Sequence, residues 1–89
     1  MLTVTEAARI HLAQVLDNAN ASADAAVRFV AKGDTIQPKL DRIRSGDVMF
    51  EFAGKTVLAL DAQMSLTLDD HILDVDDDSD RPRLILLQA

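Results

Sequence analysis

Cysteine is absent from these 89 residues. That single absence removes a disulfide framework, a zinc ribbon, a thiolate-held iron–sulfur cluster and a cysteine nucleophile. Tryptophan and tyrosine are absent too, and the only aromatic side chains are Phe29, Phe50 and Phe52. Basic charge is scarce, with nine Lys and Arg against fifteen Asp and Glu and a net charge of −6. Single-strand binding needs basic grooves with aromatic platforms, and duplex binding needs clustered Lys and Arg. An acidic chain is repelled by phosphate backbones, so no nucleic-acid partner is expected. No apolar run approaches the roughly 20 residues of a membrane-crossing helix. The start, Met1-Leu2-Thr3-Val4-Thr5-Glu6, has no basic region followed by an apolar stretch. No signal peptide, no membrane association and a cytoplasmic location are therefore expected. Three glycines and two prolines are too few for a collagen-like or low-complexity chain.

What is present is one apolar-rich domain over residues 1–89, with 48% hydrophobic residues. A chain this short buries only about 60–65% of the surface its unfolded form exposes, so the core is small. Leu2-Thr3-Val4 is extended. Thr5 or Thr3 then caps a helix, and Thr3 with Glu6 fits a capping box. Ala8, Leu12, Val15, Leu16 and Ala19 form one apolar stripe, and the helix stops near residues 18–20. Residues 26–31 alternate as a strand with Val27 and Phe29 on one face and Arg28 on the other. Lys32-Gly33-Asp34-Thr35 breaks that strand, and residues 36–43 resume it. Pro38 places the second strand at a sheet edge or makes it irregular. Residues 48–52 and 56–60 flank Ala53-Gly54-Lys55 as a hairpin in which Gly54 takes a positive φ. Asp61 caps a short helix over residues 62–68, with Met64, Leu66 and Leu68 as its core stripe. Residues 71–76 alternate, Asp77-Asp78-Ser79-Asp80 is a polar turn, and residues 83–87 form a last strand. Its four consecutive apolar residues, Leu84 to Leu87, predict cover on both faces. One helix, about six strands and a short second helix make an α+β pattern without a βαβ repeat.

The order and spacing of these segments resemble the A-type iron–sulfur cluster carrier family, the HesB-like or IscA-like proteins. The similarity begins at Leu2-Thr3-Val4-Thr5-Glu6-Ala7-Ala8 with His11-Leu12 a turn later, and continues through Val27-Arg28-Phe29 and the Lys32-Gly33 turn. It is strongest from Gly46-Asp47-Val48-Met49-Phe50-Glu51-Phe52 through Ala53-Gly54-Lys55-Thr56 to Val57-Leu58-Ala59-Leu60-Asp61. The resemblance implies a HesB-like domain: one N-terminal helix packed on a mixed, mostly antiparallel β-sandwich or pseudobarrel, with a second short helix. It also implies a homo-oligomer and a context of iron–sulfur assembly. The family holds its metal with three cysteines, one in a Gly-Cys turn after the second strand and two in a Cys-Gly-Cys tail. Here Asp34 stands at the first position, in Lys32-Gly33-Asp34. The tail is expected to be missing, because the residues after the last strand are Gln88-Ala89. The segment after Asp34 is also shorter than in the family. The fold is implied without the cluster, and no cofactor is expected.

Other candidate sites have ordinary structural readings. Asp74-Val75-Asp76-Asp77-Asp78 begins like a calcium loop, but Ser79 stands where the loop needs Gly and Ile85 where it needs a bidentate Glu. His11, His71 and Asp34 are a conceivable nitrogen and oxygen ligand set for Fe(II) or Zn(II), although their spacing has no metal pattern. Ser22, Ser45, Ser65 and Ser79 lie in no nucleophile elbow, no Gly-rich loop precedes a helix, and Asp69-Asp70 point apart as a solvated helix end. Phe50 and Phe52 are expected to pack against the first helix. Eight Asp crowd residues 61–80, whereas six basic residues lie within 28–55. That polarity offers two differently charged faces, or an orienting field for a partner. The expectation is a non-enzymatic binding or assembly module that binds a protein partner or itself, the alternative being a metal-handling protein using Asp34 with His11 or His71.

Overall fold

The elements run β1 (Thr3–Val4), α1 (Glu6–Asn18), β2 (Ala25–Lys32), β3 (Thr35–Arg42), β4 (Val48–Phe52), β5 (Lys55–Leu60), α2 (Ala62–Thr67), β6 (His71–Asp76) and β7 (Arg83–Gln88). The structure is a computed structural model that describes residues 1–77 and 81–88. The acidic turn expected at residues 77–80 therefore lies, beyond Asp77, outside the described residues, as does the Ser79 position of the calcium-loop comparison.

Helix α1 starts where Thr5, in extended backbone, accepts the Ala8 N–H on its hydroxyl at 3.1 Å. That satisfies one of the orphan donors of the first turn. Thr3 is not the cap: it sits in β1, paired in parallel with Ile72. Ala8, Leu12 and Leu16 of the expected stripe are buried. Ala19 is exposed as the C-cap residue, and Val15 is 38% exposed. Asp61 caps α2 by accepting the Met64 N–H at 2.7 Å. Met64 and Leu68, one turn apart, are buried, but Leu66 points away and is 77% exposed. The three-residue stripe expected there is thus a two-residue one, because a spacing of two puts Leu66 on the far side of the helix.

Among the described residues, seven strands make two sheets, ordered β3-β2-β5-β4 and β1-β6-β7. Pairing is mostly antiparallel, with parallel joins at β2–β5 and β1–β6. This is the α+β architecture expected from the sequence. Helix α1 contacts β2, β4 and β5 of the larger sheet and β6 of the smaller one. Leu12 and Leu16 thereby share one core with Val27, Phe29, Leu58, Leu60 and Leu73. Burying each leucine fully is worth about 1.5–3 kcal/mol relative to exposure, so the join between sheets rests on a handful of side chains. Phe50 is buried in that cluster and Phe52 packs against it.

Two tight hairpins set the register of the larger sheet. In β2–β3, Lys32 pairs with Thr35 and Gly33 takes φ +60 while Asp34 does not take a positive φ, the pattern of a type II′ turn. In β4–β5, Ala53 (φ 54) and Gly54 (φ 78) are both left-handed, the type I′ pattern. Pro38 lies on β3, at the sheet edge, as its missing N–H requires. The last strand departs from expectation. Strand β7 is an edge strand in which Leu84, Ile85 and Leu86 are half-buried and Leu87 is 44% exposed, so its two faces are not both covered.

Candidate binding groove and the family ligand position

An apolar groove of about 580 Å³ opens between β3 of one sheet and β7 of the other. Strand alternation builds it. In β2–β3, Phe29 pairs with Pro38 and Val27 with Leu40, so the core face of the sheet runs on through Ile36, Pro38 and Leu40. In β6–β7, Leu73 pairs with Leu86 and Val75 with Leu84, and the same continuation brings Leu84 and Leu86 to the other rim. His11 and Val15 of α1 form a wall, and Val27, Phe29 and Leu73 the floor. A pocket of this volume and apolar character is of the size that binds a small ligand or the anchor of a partner. The groove went unseen in the sequence because Val15 reads as a member of the helix stripe and residues 36–43 read only as an extended segment; Val15 and Leu40 are 38% and 42% exposed beside it.

Opposite the groove, Arg28 of β2 is nearly sealed from solvent and forms an ion pair with Asp47, the two side chains being 6% and 3% exposed. Both terminal guanidinium nitrogens reach the carboxylate: Nη1 donates to Oδ2 and Nη2 to Oδ1 at 3.3 Å, while Nη1 also donates to the Arg42 carbonyl at 3.4 Å. Asp47 Oδ2 accepts the Arg44 N–H at 2.7 Å. Burial pushes the Asp47 carboxyl up, but the Arg28 hydrogen bond, the Arg44 N–H and the charges of both arginines outweigh it and hold the group below 3.8. The bidentate pair ties β2 to the loop before β4. A single arginine inside the apolar run of β2 was its sequence signal; what it lacked was the partner, since Asp47 reads as an ordinary turn residue after Gly46.

Asp34 sits at the exposed tip of the β2–β3 turn. His11 is half-buried on α1. His71 begins β6, and its solvent-shielded Nδ1 lies 3.0 Å from an Asp70 carboxylate oxygen without forming a well-directed hydrogen bond. Among the described residues no three His, Asp or Glu side chains come together as a metal-holding group. His11, His71 and Asp34 are therefore not assembled into the three-ligand set considered above. Asp69 pairs with the N-terminal ammonium at 2.5 Å, whereas Asp70 lies against His71; both aspartates are exposed. No helix of the described residues is long and apolar enough to cross a membrane.

No protein-family model matches the chain, and no curated protein does. Solved structures do match. SufA of Escherichia coli, described as involved in biosynthesis of iron–sulfur clusters, aligns with a TM-score of 0.70 at 23% identity, over 98% of this chain and 84% of that one. This chain has the SufA fold. A crystal structure of IscA with its 2Fe–2S cluster aligns with a TM-score of 0.63 at 17% identity, over 99% of this chain and 85% of that one. The SufA and IscA fold is thus present with a different set of donors. A 2Fe–2S cluster is held by soft anionic thiolates, with imidazole as the known substitute on one iron. The SufA-like scaffold here offers a hard carboxylate, Asp34, on an exposed turn and no cysteine in its 89 residues. These residues do not fit the cluster.

Proposed function

We propose that this chain is a non-catalytic binding module, a SufA-like scaffold that keeps interaction surfaces without carrying a cluster. It acts in the cytoplasm as a homo-oligomer, with components of iron–sulfur assembly as the partner class that the fold suggests. The supporting observation is the pairing of two features: an open apolar groove walled by α1, β3 and β7, and a donor set without thiolates in which Asp34, His11 and His71 form no three-ligand group. Small cores gain from further burial between copies, which favours self-association.

Isolation without air, followed by reconstitution with iron and sulfide, tests the reading. The expected protein is colourless, holds no stoichiometric iron or zinc, and melts at the same temperature with or without iron. Light scattering at micromolar concentration is expected to give a mass above the monomer. A brown chromophore with visible absorption, or stoichiometric metal lost in Asp34→Ala, would overturn it.

A further inference from the structure

We propose that the open edge of β7 pairs antiparallel with β7 of a second copy, each copy closing the other's groove across a two-fold axis at Leu86. The inference rests on the reading of the chain as a self-associating module and names the surface it uses. Hydrogen-bond direction is the first argument. The Thr5 N–H donates to the Leu73 carbonyl at 3.0 Å, so residue 73 turns its backbone groups to β1. Direction alternates along a strand, so Ile72, Asp74 and Asp76 turn theirs to β7, where they meet Leu87, Ile85 and Arg83. The N–H and C=O groups of Leu84, Leu86 and Gln88 therefore point away from the sheet. Among the described residues no side chain bonds to them.

The other edges are closed to such pairing. Strand β1 is only two residues long. On β4 the Glu51 carbonyl already accepts Arg9 Nη1 at 2.5 Å, and the register shifts between Phe50 and Glu51. On β3, Lys32 and Thr35 close a two-residue turn, so residues 36, 38, 40 and 42 face outward. There Pro38 has no N–H, the Arg42 N–H is held by the Asp41 carboxylate at 2.8 Å, and the Arg42 carbonyl accepts Arg28 at 3.4 Å. Blocks of this kind suppress edge pairing, and β7 lacks them.

Symmetry selects the occupant. Residues 84, 86 and 88 are evenly spaced about 86, so a second β7 laid antiparallel sets Leu84 against Gln88 and Leu86 against Leu86. Every outward group of both strands then has a partner. Charge is compatible as well: each copy carries −6, and like charges set opposite each other repel, but residues 84–88 are uncharged. The space is there too. Residues 83–86 of β7 and 38–40 of β3 border the groove in unbroken runs, so it is the gap between two strand edges. A strand added to β7 enters that gap, with its Leu84 and Leu86 on the same side as Leu73 and Phe29 of the floor. On the outer face Leu87, 44% exposed, meets Ile85 of the second copy. A seam of this length is a small interface, so the pair is expected to separate on dilution.

The test places single cysteines in the full chain, which has none of its own. A hydrogen-bonded antiparallel pair holds its Cα atoms about 5.5 Å apart, within disulfide reach, whereas positions more than about 7 Å apart cannot be bridged. Under diamide, Leu86→Cys is expected to form a disulfide dimer, and Leu84→Cys to cross-link with Gln88→Cys when the two are mixed. Leu84→Cys alone is expected to cross-link at least about tenfold more slowly than Leu86→Cys. Leu86→Pro removes the central outward N–H and leaves the β6 ladder intact, as Pro38 does on β3. Leu87→Lys, at an exposed position, adds a charge to the seam without touching the fold. Each is expected to raise the dimer dissociation constant about tenfold or more in sedimentation equilibrium. Equal cross-linking at 84 and 86, or association indifferent to Leu87→Lys, overturns the β7 seam: the copies then pair through another surface, and the self-associating module stands. A wild-type chain that is monomeric at every concentration overturns the seam and the self-association together.

Discussion

Strands β5 and β7 have similar sequences and different fates. Val57, Leu58, Ala59 and Leu60 of β5 are completely buried, whereas Leu84, Ile85 and Leu86 of β7 are half-covered and Leu87 is open to solvent. Position in the sheet makes the difference. Strand β5 lies between β2 and β4, with α1 and α2 packed against it. Strand β7 pairs with β6 alone. An apolar run therefore reports what a strand can bury, and the neighbours decide how much of it is buried. Leu84, Ile85 and Leu86, the half-covered part of β7, line the groove.

The largest expected effect lies in the sealed region. Asp47→Asn leaves the Arg28 guanidinium nearly buried without its counter-charge, and losing one member of such a pair costs about 3–5 kcal/mol. Urea unfolding at neutral pH measures it. Replacing both residues, Arg28→Met with Asp47→Leu, is expected to recover most of that loss, because the two desolvation costs then disappear together. The pair also carries a pH signature. The folded Asp47 carboxyl lies below its ordinary value of 3.8, so its contribution is complete above that value and is lost as pH falls through the lower folded-state value. The wild-type urea midpoint should drop in that acid window, and Asp47→Asn should remove part of the drop. Asp24 and Asp41 are also lowered, by hydrogen bonds from Ser22 and from the Arg42 N–H, and act in the same direction.

The next effect contrasts the two strands directly. Leu58→Ala in β5 empties a fully enclosed site and is expected to cost about 2–5 kcal/mol. Leu86→Ala in β7 removes a half-covered side chain beside an open groove and should cost about 1 kcal/mol or less at dilutions where copies are apart, since water then reaches the site. Denaturant midpoints at constant slope provide the comparison. Equal losses at the two positions would mean that β7 is sealed in solution, with its groove covered by another copy.

Local chemistry made much of this fold legible. Thr5 and Asp61 as caps, Pro38 on an edge and Gly54 in a hairpin each follow from a hydrogen-bonding or dihedral requirement that a single residue meets. The order of weak matches then pointed to the A-type carrier fold. The groove was not legible, because it arises where two strands far apart in sequence, β3 and β7, fail to meet. Arg28 and Asp47 are separated by 19 positions, and nothing in either neighbourhood names the other. That Asp34, His11 and His71 do not come together as a three-ligand group is likewise a fact of topology. Residue type sets what each group can do, but only the fold sets whether groups do it together.

The smallest effect concerns the turn that closes β4 onto β5. Ala53 adopts φ 54, a left-handed conformation in which a Cβ crowds the following carbonyl at about 1–2 kcal/mol. Ala53→Gly removes that crowding and loosens the unfolded chain, so a net gain of about 0.5–1 kcal/mol is expected. Gly54 is the reciprocal case. It has φ 78, and a Cβ built there meets nothing within 4 Å, so any penalty in Gly54→Ala is purely backbone. That substitution is expected to cost about 1–2 kcal/mol. Opposite signs at adjacent residues, read from urea midpoints, would fix both positions as left-handed in solution. If Ala53→Gly instead destabilises, the turn has relaxed to another type, and the register by which β4 covers one edge of β5 shifts with it.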